Sequence, residues 1–126
     1  MILFSTTISG NLPSSKNRRR LITGRGGRRP LIIKSADALQ YEKMFLSSIK
    51  PKDRIGYAGP VSVKVRVHYQ SKRSDLSTEF IFDLLQKAGV IKNDNQIMHV
   101  ESWKGLDRTS PRVHITVTTW EDTIAA

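Results

Sequence analysis

The strongest structural pattern in the sequence is VSVKVRVHY, residues 61–69. Four valines and a tyrosine alternate with serine, lysine, arginine and histidine, which is the two-residue period of a strand with one apolar and one polar face. The segment therefore predicts a strand that turns its valines toward a core. Lys64, Arg66 and His68 then lie on the opposite, polar face.

A helix is predicted on each side of this strand. Residues 36–49 carry apolar side chains at helical spacing, with Ser35 in the N-cap position and Pro51 just beyond the end. Residues 76–88 carry a second apolar stripe, and Gly89 follows where a glycine commonly ends a helix. Both helices are therefore expected to pack on one sheet.

Three further strands are predicted, at residues 2–8, Ile97–Trp103 and Arg112–Thr119. A turn at residues 92–95 precedes the second of them. The resulting order is β-α-β-α-β-β, which predicts the α+β class, a small mixed sheet with two helices packed on it. Because the chain has 126 residues, we expect a single domain over residues 1–126.

Composition narrows the functional classes. The chain has 21 Lys+Arg against 11 Asp+Glu, a net charge of +10, and no cysteine. The absence of cysteine excludes a disulfide scaffold, a cysteine zinc site and a cysteine nucleophile. No apolar run is long enough to cross a bilayer, and the N-terminus lacks the basic region of a signal peptide, so we expect a cytoplasmic protein. The charge favours a polyanionic partner, nucleic acid first.

The positive charge is concentrated in residues 16–29, which contain seven basic and no acidic side chains. Three glycines argue against a helix here, and charge of one sign favours a mobile, extended loop. Six of the seven are arginines, whose planar guanidinium groups can bind phosphate through two hydrogen bonds. The loop is therefore predicted to bind phosphates; the alternative is a solvated basic loop with no ligand.

The acidic residues are grouped around the second predicted helix. Asp75, Glu79 and Asp83 are spaced four apart, and Asp94 lies in the turn that follows. Carboxylates are the oxygen ligands that Mg²⁺ takes from proteins, together with water and phosphate. Asp94 can meet Asp75 only if the fold brings that turn back past the helix start.

Ordinary structural roles remain open for the same residues. Asp75 or Ser77 can cap the helix, Glu79 can be a solvated helix residue, and Asp83 can pair with Lys87 four residues later. Residues 93–95 can form a simple turn.

The histidines and tryptophans give weaker signals. His68, His99 and His114 fall on strand positions far apart in sequence, so solvent-facing side chains are predicted. Trp103 and Trp120 are predicted to be packing residues, because two tryptophans do not make a base-stacking platform.

Residues 74–97 resemble the RusA family of Holliday-junction resolvases. That family has a D-x-D-N motif before a helix, an aspartate on the helix, and a Gly-aliphatic turn followed by an acidic pair. The matching segments here are Phe82-Asp-Leu-Leu85, Lys87-Ala-Gly89 and Asn93-Asp-Asn-Gln-Ile97. Pro13-Ser-Ser-Lys-Asn17 and a helix containing Tyr41 are similar to the family's opening pattern, so the resemblance extends over nearly the whole chain.

The first family motif is incomplete in this chain, which has one of its two aspartates. If Asp75 is matched to the first, Ser77 replaces the second; if the helix is aligned without a gap, Arg73 replaces the first. The motif's asparagine is absent in either register.

Two later family positions also differ. Glu79 or Ile81 stands where the family helix carries a catalytic lysine, and Asn93 replaces the first acid of the later pair. Glu79 is therefore a candidate replacement for the missing carboxylate.

The resemblance implies a homodimer with one Mg²⁺-dependent site per subunit that nicks a four-way DNA junction symmetrically, in recombination and repair. Mn²⁺ is expected to substitute for Mg²⁺, and the cell is expected to be bacterial or phage-infected. Asp75, Asp94 and Asp83 become the candidate metal ligands, with Glu79 as a fourth catalytic candidate. The predicted DNA-contacting residues are Lys16, Asn17, Arg18, Arg19, Arg20, Arg25, Arg28, Arg29, Lys72 and Arg73.

Two alternatives stay open. One is a relative that binds junctions without cutting them, which the missing motif residues favour. The other is a small basic RNA-binding protein, which composition permits and the acidic group disfavours.

Overall fold

The computed structural model describes residues 1–13, 35–72 and 78–121 in full, and residues 19–22 and 31–34 as backbone. Among them, six strands and two helices occur in the order of the chain. Their bounds are β1 Ile2–Ser9, β2 Arg19–Ile22, β3 Leu31–Lys34, α1 Ala36–Ser48, β4 Val61–Tyr69, α2 Glu79–Lys87, β5 Ile97–Leu106 and β6 Arg112–Thr119.

Four of these strands form one mixed sheet in the order β1-β6-β4-β5. β6 pairs antiparallel with β1 and β4, whereas β4 and β5 are parallel. A parallel pair needs a long crossover connection, and α2 lies within the connection from β4 to β5. The mixed sheet with two helices confirms the predicted α+β class.

The core lies on the sheet face that packs against α1 and α2. Val63, Val65 and Val67 of β4 are fully buried, because β4 is covered by neighbouring strands on both sides and by helices on one face. The two helices meet where the rings of Tyr41 and Phe80 lie 6.0 Å apart. The opposite face of the sheet carries the polar side chains of β4 and β6.

The predicted start of α1 agrees with the structure, and its end lies one residue earlier than predicted. The Ser35 side chain accepts a hydrogen bond from the backbone N–H of Ala38, as expected for an N-cap, and the helix ends at Ser48. None of the helices in the described segments is long and apolar enough to cross a membrane.

The prediction of a continuous basic loop over residues 16–29 is wrong for its middle. Residues 19–22 form β2, which pairs antiparallel with β3 from Arg19 opposite Lys34 to Ile22 opposite Leu31. Glycine content pointed to a loop, but the apolar residues of both short segments favour strand pairing. Residues 14–18 and 23–30 lie outside the described residues. The predicted mobility of the loop therefore stays a prediction.

Two other boundaries differ from the predictions. β5 continues three residues beyond Trp103 to Leu106, because it pairs with β4 along the whole length of that strand. The described part of α2 begins at Glu79, and residues 76 and 77 of the predicted helix lie outside the described residues. The predicted turn at residues 92–95 contains the start of a 3₁₀ helix, Asp94–Gln96.

Leu84→Ala is expected to lower the free energy of unfolding by about 2–5 kcal/mol, because it removes a fully buried side chain between α2 and the sheet. Urea unfolding measures the change. Leu106→Ala is the matched control, since Leu106 is 51 % exposed and should change stability by less than about 1 kcal/mol. Equal losses in the two variants would contradict this position of the core.

Candidate functional site

The described acidic candidates are distributed along α2 and beyond its end. Glu79 is exposed in the first turn of the helix, Asp83 lies one turn later, and Asp94 lies in the 3₁₀ helix before β5. β4 and β5 are parallel with Val61 opposite Ile97, so Asp94 lies near the sheet edge where β4 begins. Because α2 follows the other end of β4, Asp94 and Glu79 lie toward opposite ends of the helix.

The described carboxylates do not form a three-ligand cluster. Within residues 1–13, 35–72 and 78–121, no three His, Asp or Glu side chains are grouped closely enough to hold a metal ion. Asp75, the fourth candidate, lies outside the described residues. Mg²⁺ commonly takes only one or two carboxylates from a protein and completes its shell with water and phosphate.

Asp83 takes part in an ion-pair chain between the two helices. Its carboxylate lies 3.7 Å from the ammonium of Lys87, which in turn lies 2.6 Å from Glu42 of α1. This is the four-residue pairing that the sequence offered as the structural alternative to metal binding. Lys87 therefore joins α1 to α2 and partly neutralises Asp83.

Asp94 is held by its backbone and exposes its side chain. Its N–H donates to the side-chain oxygen of Gln86 at 3.0 Å, and Asn93 caps the 3₁₀ helix by accepting from the N–H of Asn95 at 2.9 Å. In the fully described segments, no cationic side chain lies within ion-pair distance of Asp94. An exposed carboxylate on a fixed backbone is suited to bind a cation.

Gln96 fixes this turn to the rest of the protein. Its side-chain oxygen accepts from the N–H groups of Lys92 and Asn93 at 2.9 and 2.8 Å. Its amide nitrogen donates to the carbonyls of Tyr57 and Gly59, both at 2.7 Å. Sequence reasoning did not identify this positioning residue, although the spacing from Asn93 to Gln96 is that of a capping box.

The structure describes few of the predicted DNA-contacting side chains. Lys72 is exposed shortly after the end of β4, and Arg19 and Arg20 lie on β2, whose backbone alone is described. The other predicted contacts lie outside the described residues: Lys16, Asn17, Arg18, Arg25, Arg28, Arg29 and Arg73.

The histidines are less solvated than predicted. The rings of His68 and His114 meet edge to face at 5.6 Å, and His99 stacks on Trp120 at 4.8 Å. All three imidazoles are half-buried on the polar face of the sheet. Loss of solvent lowers the pKa of His68, and the nearby positive charge of Arg112 lowers it further.

Trp103 is not the packing residue that the sequence suggested. Its ring is 42 % exposed, and the guanidinium of Arg66 lies 5.2 Å from the ring centre. Register explains the contact, since Arg66 of β4 lies opposite Trp103 of β5. An arginine over an exposed indole is a cation–π arrangement.

These features define a small α+β protein with an exposed carboxylate turn, a basic segment and a cationic sheet face, a combination typical of proteins that act on nucleic acids. The sequence model of endodeoxyribonuclease RusA matches residues 12–118. The chain therefore belongs to the RusA family of endodeoxyribonucleases, as the motif resemblance indicated. A search of curated proteins found no match.

Family membership implies nuclease activity on branched DNA, of the kind that resolves Holliday junctions in recombination. Nucleases of this family generally depend on a divalent metal. Asp94 and Glu79, toward opposite ends of α2, each expose a carboxylate with the oxygen donors that such a cation prefers.

Gln96→Glu is expected to lower the free energy of unfolding by about 2–4 kcal/mol, because a carboxylate cannot donate to the two carbonyls that the amide now satisfies. Urea unfolding measures the loss. Gln70→Glu provides the control, since Gln70 is exposed at the end of β4 and should unfold as the parent does. Unchanged stability of the Gln96 variant would show that the amide does not hold the turn.

The pKa of the Asp107 carboxyl group is expected to lie well below that of an ordinary aspartate. A hydrogen bond from Arg112 at 2.7 Å, assisted by those from Ser110 and Thr109, lowers its pKa from 3.8 to about 2. The folded pKa is depressed, so the pair stabilises the fold above the unfolded value, and this contribution is lost as the pH falls toward 2.

Carboxyl carbon NMR measures the Asp107 titration directly. In Arg112→Gln the pKa should move back toward 3.8. An unshifted Asp107 in the parent protein would contradict the ion pair.

Proposed function

We propose that this chain is a homodimeric, Mg²⁺-dependent endonuclease that resolves four-way DNA junctions by paired symmetric nicks. The observation that carries the proposal is the family match over residues 12–118, which includes both the basic segment and the acidic residues. A two-fold dimer would present two equivalent sites to a junction with equivalent strands. It would also bury surface that a chain of this length leaves exposed.

Asp75 and Asp94 are the proposed metal ligands. Glu79 follows Asp75 by four residues in the sequence and lies toward the opposite end of α2 from Asp94, so it is a candidate to share an ion with Asp75 rather than with Asp94. Asp83 is less suited, because Lys87 already lies 3.7 Å from its carboxylate. Glu79 is exposed and has no ion-pair partner among the fully described residues. A bound Mg²⁺, or Mn²⁺ in its place, supplies charge neutralisation at the scissile phosphate and a more acidic water.

Asp94 and the basic residues of the 16–29 segment have complementary roles in the proposed reaction. A carboxylate placed beside DNA repels the phosphates unless a cation reverses the local charge. Residues 16–29, with Lys72 and Arg73, are proposed to hold the backbones of the junction arms. Phosphate contacts of this kind carry little base information, so the shape of the junction is the main feature that is recognised.

Nicking of an end-labelled four-way junction tests the proposal, with a linear duplex of the same sequence as the DNA control. Paired cuts in Mg²⁺ that disappear in EDTA are the expected result. Asp94→Asn should lower the nicking rate by about a hundredfold or more, since it removes a charged ligand and several kcal/mol of stabilisation. Asp37→Asn is the protein control, because Asp37 is an exposed aspartate on α1.

Wild-type nicking by Asp94→Asn would overturn the site assignment. Equal cutting of the linear duplex would overturn junction selectivity.

A junction-binding protein without nuclease activity is the second candidate, because this chain lacks an acid of the family pattern at position 93. Asn93 uses its side-chain oxygen to cap the 3₁₀ helix. Tight binding of the junction with no cutting in Mg²⁺ or Mn²⁺ would establish this alternative.

A further inference from the structure

The face of the sheet opposite α1 and α2, here called the open face, contains a shallow depression of ≈ 460 Å³. Strands β4, β5 and β6 line it, and no carboxylate is among the lining side chains. The residues that matter for its chemistry are Lys64, Arg66, His68, Trp103, Arg112 and His114. Three of these, Lys64, Arg66 and Arg112, are basic side chains.

Two of the three cations are available to a ligand. Within the fully described segments, no carboxylate lies within ion-pair distance of Lys64 or Arg66. Glu101 is opposite Lys64 in the strand register, but its carboxylate lies 3.7 Å from His99 instead. Arg112 is the exception, since it binds Asp107 at 2.7 Å at the margin of the depression.

Trp103 adds an aromatic surface beside these charges. Its ring is 42 % exposed and carries the guanidinium of Arg66 at 5.2 Å. Cationic side chains beside an exposed indole are the combination that nucleic-acid-binding surfaces use, with the cation on phosphate and the ring beside sugar or base. A solvated salt-bridge surface would instead pair its cations with carboxylates.

The two histidines complete the lining of the depression, which contains no carboxylate. Arg112 donates from Nε to Nε2 of His114 at 3.2 Å, and a guanidinium can only donate. The His114 proton is therefore on Nδ1, which donates to Thr7 Oγ1 at 2.8 Å. The His68 ring packs against His114 and over Gly105, where a Cβ would approach Nδ1 to 2.9 Å.

We propose that the open face binds the phosphodiester backbone of DNA, as a second basic surface in addition to residues 16–29. Lys64 and Arg66 contact phosphates, and Trp103 lies beside the strand. The inference rests on the proposed function only in the choice of DNA as the polyanion. A second copy of the chain is a poorer occupant, because a two-fold contact through this face would bring like charges together.

Fluorescence anisotropy of labelled DNA in EDTA measures binding without cleavage. Lys64→Ala/Arg66→Ala should weaken binding of both junction and duplex and make the slope of log affinity against log salt shallower by about 2. Lys50→Ala/Lys52→Ala is the matched control, with two exposed lysines at the same spacing after α1, and should keep the parent slope. An unchanged slope in the open-face variant would overturn the proposal.

Tryptophan fluorescence reports contact directly. The chain has two tryptophans, so Trp120→Phe leaves Trp103 as the only one. Its emission should change on addition of DNA over the same concentration range as the anisotropy. An emission unaffected by saturating DNA would contradict contact at the open face.

Light scattering separates DNA binding from self-association. The Lys64→Ala/Arg66→Ala protein should keep the parent's molar mass. A changed mass together with unchanged DNA affinity would show that this face joins subunits, and would overturn the proposal. DNA binding is measured in EDTA, where no cleavage occurs. These outcomes therefore do not depend on whether the protein cuts junctions in the nicking assay.

Discussion

Parallel pairing between β4 and β5 is the constraint on which the rest of the structure depends. Two parallel neighbours cannot be joined by a tight turn, so the chain must cross the sheet, and α2 occupies that connection. Ile81, Leu84 and Leu85 of α2 are fully buried. The same crossing fixes the location of Asp94, which lies in the last turn before β5 begins beside the start of β4.

The crossover also separates two kinds of charge. The candidate metal ligands that the structure describes lie on α2 and in the turn that follows it, whereas Lys64 and Arg66 lie on the face of β4 that points away from the helices. Alternation along one strand produces this division, because successive side chains point to opposite faces. Among the described residues, the candidate metal-binding carboxylates and the basic residues of the open face therefore do not form ion pairs with each other.

Much of the architecture was predictable from the sequence because its signals are local. The two-residue period of VSVKVRVHY predicted β4, and the Ser35 cap predicted the start of α1. The four-residue spacing of Asp83 and Lys87 predicted their ion pair. The β2–β3 pairing was missed, since four-residue strands within a glycine-rich segment give little periodicity. The contacts of Gln96 with Tyr57 and of Trp103 with Arg66 could not be predicted, because each joins residues that lie 37 or more positions apart in the sequence.

Paramagnetic broadening of amide NMR signals by Mn²⁺ tests most directly whether the crossover carries the metal. We expect substoichiometric Mn²⁺ to broaden the signals of Asp94 and Asn95 first. Signals of the open face, such as the Trp103 indole, should stay sharp, and Asp94→Asn should abolish the effect. Strongest broadening at Asp107 or Glu101, or the same pattern in the Asp94→Asn variant, would contradict metal binding at Asp94.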